Sequence, residues 1–115
     1  MCDTSDLVGG SVDGQEVTLG LRNEGDSFIR ITRISLDWPI LNSGLVRIKL
    51  GAVTIWSQGD LLPPTVVTSG WDDPVRAVEA GETKPLTFVF NLPAQESGYD
   101  LAVQLNNECQ LTRSA

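Results

Sequence analysis

Histidine is absent from this 115-residue sequence, and its absence excludes several classes of enzyme. Without an imidazole there is no Ser-His-Asp triad, no Cys-His dyad and no ordinary zinc or copper site. No glycine-rich phosphate loop precedes a helical pattern either. The catalytic chemistry left open is a pair of carboxylates of the glycosidase type. We therefore predict a protein that is not an enzyme and that holds no cofactor and no metal.

Basic residues are scarce, with eight Lys and Arg against fifteen Asp and Glu, and the net charge is −7. Such a surface repels the phosphate backbone of nucleic acids and also repels anionic lipid. No apolar run approaches the ~18 residues of a membrane-spanning helix. We predict no nucleic-acid partner and no membrane insertion, and we expect the acidic charge to keep an exported protein soluble.

The chain has only two cysteines, Cys2 and Cys109, which lie near its two ends. They are too far apart in sequence for a Cys-x-x-Cys redox or metal pair. We predict a disulfide between them, which requires Cα atoms within about 7 Å and therefore places the first and last strands close together. Such a bond indicates an oxidising compartment, and hence an extracellular or cell-surface location. Lipidation of Cys2 is the alternative.

Apolar and polar residues alternate along most of the chain, as they do in half-buried strands. Val17, Leu19 and Leu21 share one face of such a segment, and Asp13-Gly14 before it is a strong hairpin turn. The spacing predicts one domain over residues 1–115, an all-β antiparallel sandwich of about eight or nine strands without a helix. The strands are predicted at residues 6–12, 15–23, 28–38, 45–50, 53–56, 65–68, 75–78, 83–92 and from residue 99 towards Cys109.

Two of these segments carry specific predictions about register. The apolar positions of the third segment change parity between Ile31 and Ile34, so a strict strand would expose half of them. One extra residue at Thr32-Arg33 restores the register, and we predict a β-bulge there. In the fourth segment, strict alternation places Val46 towards the core.

The three tryptophans and an acidic pair are the candidates for ligand binding. Trp38 and Trp56 end apolar segments, and we predict that both close the ends of the core. Trp71 lies in a Gly- and Asp-rich loop and could stack on a sugar ring, which makes a carbohydrate-binding module the alternative function. Asp72 and Asp73 could offer oxygen ligands to calcium, but without Asp-x-Asp spacing they favour turn capping before a proline.

Several stretches resemble a known group of domains. Residues 15–25 (QEVTLGLRNEG) resemble its opening strand with Asn-x-Gly turn, and residues 77–88 (AVEAGETKPLTF) resemble its characteristic hairpin. Residues 34–39 (ISLDWP) and 50–56 (LGAVTIW) look like a subset that also has a cysteine near each terminus. The group is the Ig-like accessory domains of bacterial secreted or cell-surface proteins.

This resemblance implies a fold and a class of function. It implies an Ig-like β-sandwich that acts as a spacer, a stalk element or a subunit of a surface appendage, with no catalytic residues to assign. We therefore predict a non-catalytic extracellular structural or protein–protein interaction module. Its partners are expected to be other domains or subunits, with self-association through exposed edge strands as one route.

Overall fold

The computed structural model describes residues 4–114 and contains ten β-strands and one three-residue 3-10 helix. The strands are β1 (Ser5–Asp13), β2 (Glu16–Asn23), β3 (Ile29–Asp37), β4 (Leu45–Leu50), β5 (Val53–Trp56), β6 (Thr65–Val67), β7 (Ala77–Val78), β8 (Thr83–Phe90), β9 (Asp100–Leu105) and β10 (Gln110–Ser114). The 3-10 helix spans Ile40–Asn42, between β3 and β4. The expectation that no helix forms was therefore wrong at this one turn.

The strands form two antiparallel sheets of five strands each. The first sheet has the order β1-β2-β8-β4-β5, and the second has the order β10-β9-β3-β6 with β7 also paired to β3. The all-β, two-sheet architecture predicted from the alternation is confirmed. The predicted number of strands, about eight or nine, was too low by at least one.

The core lies between the two sheets and is built from the inward faces predicted by period-two alternation. In β2 the buried residues are Val17, Leu19 and Leu21, and the adjacent β8 buries Leu86 and Phe88. Trp38 and Trp56 are also buried, at 3 % and 4 % exposure, which confirms their predicted place at the ends of the core. Burying one such aliphatic or aromatic side chain contributes about 1.5 to 3 kcal/mol.

A bulge in β3 keeps its apolar residues in the core. The register of β3 against β9 shifts between Ile31 and Arg33, as the change of parity predicted. Ile31 and Ile34 are both fully buried although they are three positions apart. The extra residue shifts the inward–outward alternation by one position, so the apolar side chains before and after the bulge both face the opposite sheet.

A second bulge, in β4, was not predicted and changes which residue faces the core. The register of β4 against β8 shifts between Leu45 and Arg47. Leu45 is therefore buried, at 1 % exposure, and Val46 is only half-buried. The prediction that Val46 points inward was wrong because strict alternation cannot show where a bulge interrupts it.

The last predicted strand is in fact a hairpin. β9 ends at Leu105, and a tight turn follows in which Glu108 has a φ of +66°. The chain then returns as β10, with Leu111 buried beside β9. Cys109 is buried at the start of this return, at 1 % exposure. Its predicted partner, Cys2, lies outside the described residues, so the disulfide stays a prediction.

All connections but one lie at the two ends of the sandwich, and the exception, between β6 and β7, runs along the side beside β3 and β5. We call one of these the aliphatic end, formed by residues 13–15, 38–44, 57–64 and 91–99. The opposite end is formed by the turns between β2 and β3, β4 and β5, β7 and β8, and β9 and β10. The edge strands β1 and β10 face each other along one side of the sandwich, where Arg113 donates a hydrogen bond to Leu7 O at 2.9 Å.

Candidate interaction site

A buried polar network holds the loops of the aliphatic end together. Asn42 is completely buried; its Nδ2 donates to the Tyr99 hydroxyl at 2.8 Å and its Oδ1 accepts from Gln95 N at 2.8 Å. The Tyr99 hydroxyl in turn donates to Gln95 O at 2.6 Å. Burial raises the pKa of Tyr99 above its ordinary value, and the hydrogen bond from Asn42 partly offsets that rise. The loop between β8 and β9 is thereby fixed against the 3-10 helix.

Backbone hydrogen bonds add residues 57–64 to this arrangement and reinforce the contact between residues 38–44 and 91–99. Leu45 and Asp60 exchange two of them, at 2.8 and 2.9 Å, and Leu92 N donates to Asn42 O at 3.2 Å. These neighbouring segments carry exposed aliphatic side chains among their polar ones. The side chains, with their exposed fractions, are Ile40 (67 %), Leu41 (68 %), Leu61 (84 %), Leu62 (63 %) and Leu92 (49 %).

The charge of the aliphatic end has one sign. Asp13, Asp60 and Glu96 lie within its four segments, and Asp37 and Asp100 flank them. None of the eight Lys and Arg residues of the chain occurs in those segments. Two arginines lie beside these segments, because Arg47 lines a surface with Asp13 and Arg113 lines one with Glu96. Exposed aliphatic groups on segments whose own charges are all negative suit an apolar partner with Lys or Arg at its rim.

Trp71 does not stand free in its loop. It is partly buried against the core, and the Arg76 guanidinium lies over its ring at 4.5 Å from the ring centre. Arg76 is itself held by hydrogen bonds to Ile31 O at 2.9 Å and Asp73 O at 2.8 Å. Burial lowers the pKa of Arg76, the charge of Arg30 lowers it further, and Asp73 opposes both. One face of the indole is therefore occupied by a cation from the protein itself.

The two aspartates beside Trp71 make hydrogen bonds within their loop and to the end of β5. The Asp73 carboxylate accepts hydrogen bonds from Val75 N at 3.0 Å and Arg76 N at 3.3 Å, which is the turn capping expected before Pro74. Asp72 accepts a hydrogen bond from the Ser57 hydroxyl, and its N–H donates to Ile55 O. Across residues 4–114 no group of three or more His, Cys, Asp or Glu side chains could hold a metal ion.

An inter-sheet cleft of about 290 Å³ opens between the edges of β1 and β10. Its walls include Leu19, Leu36, Phe88 and Leu101 from both sheets, and Arg113 lies along it. The cleft is separate from the Trp71 loop, which lies against β5 at the other side of the sandwich. Within the described chain, no helix has the length and apolar character needed to cross a membrane.

Sequence reasoning did not find the aliphatic end. Residues 57–64 lie between two predicted strands and no site was predicted there, yet Leu61 and Leu62 are exposed at 84 % and 63 %. A signal was present, since paired aliphatic residues stand directly beside prolines, as in Ile40-Leu41 after Pro39. Such pairs in a segment that cannot continue a strand are candidates for surface exposure.

Comparison with known proteins identifies no family for this chain. No protein-family model matches it. No curated protein matches it either. Among solved structures it is similar to the archaellum periplasmic stator protein FlaG from Sulfolobus acidocaldarius, with a TM-score of 0.49 and 13 % identity over 95 % of each chain. A likeness of this degree carries no argument about function.

Proposed function

We propose that this chain is a non-catalytic interaction module that binds another protein through its aliphatic end. The observation that carries the proposal is the group of five exposed aliphatic side chains on adjacent, well-anchored segments. Groups of exposed apolar side chains on neighbouring segments often mark a site of contact with another protein. Because the buried network of Asn42 and Tyr99 fixes the loops beneath, the surface is presented without a large ordering cost on binding.

The partner's chemistry follows from the charge of this end. A complementary surface is aliphatic at its centre and carries Lys or Arg at its rim, facing Asp13, Asp60 and Glu96. A second copy of this chain is a poor partner, because pairing two aliphatic ends would bring two acidic rims together. Strand pairing along β1 is also opposed, since a bulge interrupts that strand between Val8 and Ser11.

The order of the strands supports an Ig-like assignment. In the constant-type immunoglobulin fold, strands A, B, E and D form one sheet and C, F and G form the other. If β1, β2, β3, β4, β8, β9 and β10 take the labels A to G in chain order, both sheets have these neighbours. The strands β5, β6 and β7 then form an insertion between D and E.

Tyr99 supports the same assignment. In immunoglobulin domains a tyrosine near the start of strand F bonds back to the backbone a few residues upstream, at the corner between E and F. Tyr99 lies just before β9 and donates to Gln95 O, four residues upstream. The usual disulfide between strands B and F is replaced by aliphatic residues, among them Leu21 and Val103, which are fully buried.

The carbohydrate-binding alternative depends on Trp71. Arg76 covers one face of the ring, so a sugar has only the remaining exposed part available. Glycan-array binding that disappears in Trp71→Ala, in a protein that keeps its fold, would favour this alternative. The extracellular, bacterial surface location remains an expectation that accompanies the resemblance and the predicted disulfide.

Site-specific photo-crosslinking in cells that express the chain natively tests the proposed interaction. A benzophenone amino acid replaces Leu61 at the aliphatic end, and in a matched control it replaces Val53, which is half exposed at the opposite end. We expect a discrete adduct from position 61 only, mapped to an aliphatic patch flanked by Lys or Arg. Added salt should reduce its yield, because the rim contacts are electrostatic.

Two substitutions at neighbouring positions complete the test. Ile40→Gln combined with Leu41→Gln should lower the crosslinking yield by about tenfold or more, since each buried aliphatic side chain contributes about 1.5 to 3 kcal/mol. Folding stability should change by less than about 0.5 kcal/mol, because both side chains are exposed in the free protein. Equal adducts from positions 61 and 53, or none from position 61, would contradict the proposal.

A further inference from the structure

The inter-sheet cleft exists because one strand stops supplying side chains to the core. Leu7 is the last buried residue of β1, and Gly9 and Gly10 follow it. Their φ angles are +67° and +146°, a backbone region that favours glycine, and here the register against β2 shifts. With no side chain at either position, a cleft stays open at this side of the sandwich, over core residues that are themselves buried.

The lining of the cleft combines apolar side chains with the polar residues Ser11, Glu96, Tyr99 and Arg113. Val17 and Leu19 line it from β2, Phe88 from β8, and Leu36 and Leu101 from the second sheet. Its volume of about 290 Å³ is near the lower limit of small-molecule sites and suits a ligand of about ten non-hydrogen atoms.

Arg113 supplies one fixed positive charge beside these walls. Its guanidinium reaches from β10 to β1, where it donates to Leu7 O at 2.9 Å and also to Gly9 O. Neither acceptor carries a charge, and none of the four ion pairs among the described residues includes Arg113. A guanidinium has five N–H groups, so donors remain for a carboxylate.

We propose that the inter-sheet cleft binds an aliphatic carboxylate of about ten non-hydrogen atoms. The hydrocarbon chain lies along the opening at Gly9-Gly10, against Val12 and the edge of Leu19, and the carboxylate accepts hydrogen bonds from Arg113. Glu96 also lines the cleft and disfavours an anion there, so its charge limits the affinity. The ligand class is distinct from the protein partner of the aliphatic end, and the two proposals can fail independently.

The same chemistry occurs in a medium-chain fatty acid and in the carboxyl terminus of a peptide that ends in leucine. The experiment is an amide-resolved NMR titration of the full chain with octanoate and, separately, with acetyl-leucine, which mimics the peptide terminus. We expect saturable shifts at Gly9, Gly10 and Arg113. The ligand that gives the tighter saturation identifies the source. 1-Octanol and octylamine, which match the chain length without the negative charge, should bind at least about tenfold more weakly.

Charge variants test the assigned contacts. Arg113→Gln should weaken octanoate binding by about tenfold or more, whereas Glu96→Gln should strengthen it. Thr112→Gln is the matched control, because Thr112 is the exposed neighbour on β10. Val12→Phe, which places a larger side chain at the cleft wall, should abolish binding. An absence of saturable shifts with both carboxylates, equal binding of 1-octanol, or tighter binding of octylamine would overturn the proposal.

Discussion

A buried asparagine anchors each end of the sandwich, yet the two ends present different surfaces to solvent. Asn42 at the aliphatic end bonds to Tyr99 and Gln95. At the opposite end the Asn23 side chain donates to Ser27 O at 2.8 Å and Val78 O at 3.0 Å, and accepts from Gly25 N at 3.0 Å. The loops of both ends are therefore held by hydrogen bonds from a buried asparagine side chain. The difference between the two surfaces has another cause.

At the opposite end the protein's own charges and rings are paired with each other. Arg22 pairs with Asp6 at 2.6 Å and with Glu24 at 3.3 Å. The exposed aromatic ring there, Phe28, is covered by the Arg30 guanidinium at 5.7 Å from the ring centre. The segments of the aliphatic end contain no Lys or Arg, although Arg47 and Arg113 line surfaces beside Asp13 and Glu96. The two ends therefore differ chiefly in the exposed aliphatic side chains, which support the proposal that this end contacts a partner.

The largest expected effect concerns the opposite end, where Cys109 begins the return of β10. We expect Cys2 and Cys109 to be disulfide-bonded, and reduction to lower the free energy of unfolding by roughly 4 to 5 kcal/mol, the chain-entropy value for a loop of about a hundred residues. Mass spectrometry after thiol labelling, with and without reductant, measures the bond, and urea unfolding measures its effect. Two free thiols in the unreduced protein would contradict this expectation.

The second prediction concerns the two anchors. Asn23→Ala and Asn42→Ala should each lower the free energy of unfolding by about 2 to 4 kcal/mol, because buried partners lose their hydrogen bonds. The larger loss is expected at Asn23, whose side chain makes three bonds. Urea denaturation measures both variants, with Asn91→Ala, at an exposed position, as the control. A loss at one end only would show that the two ends are not anchored alike.

The smallest expected effect is a loss of stability at alkaline pH that arises at the aliphatic end. Native Tyr99 has a pKa above the ordinary value of 10.0, so it holds its proton more tightly than the unfolded chain does. Its contribution to stability is therefore complete below pH 10 and is lost as the pH rises through the raised native pKa. Urea midpoints of the parent protein should fall above pH 10, and those of Tyr99→Phe should fall less.

Tyr99→Phe also tests how the loops of the aliphatic end are anchored at neutral pH. The substitution should lower the free energy of unfolding by about 1 to 3 kcal/mol, because Asn42 Nδ2 loses its acceptor in a buried site. The loss should be accompanied by weaker crosslinking from position 61, since the loops there are no longer held together. Identical pH profiles for the two proteins would show that another group governs alkaline unfolding.

Much of the fold could be predicted because strand patterns are local. Alternation in β2 and β8 identified the residues that face the core, and the change of parity after Ile31 identified a bulge. The burial of Trp38 and Trp56 followed from the same pattern. These features depend on residues two or three positions apart, which a sequence shows directly.

The bulge in β4 and the hairpin after β9 could not be predicted in this way. Val46 and Leu45 are both apolar, so the choice between them depends on how β4 aligns with β8. The turn before β10 consists of polar residues that would also suit the end of a strand. In both cases the outcome was decided by pairing with a strand distant in sequence.

By itself the sequence determined an all-β chain with two-sided strands, an acidic surface and no histidine chemistry, since composition and period depend on no tertiary contact. Only the tertiary structure decided which residues lie together at the two proposed binding sites. It brought Ile40 and Leu61 together on adjacent segments, and it placed Arg113 of the last strand against Leu7 of the first, beside an open gap at Gly9-Gly10. Each of these arrangements joins residues at least about twenty positions apart, and loop closure on that scale is set by the packing of the whole domain.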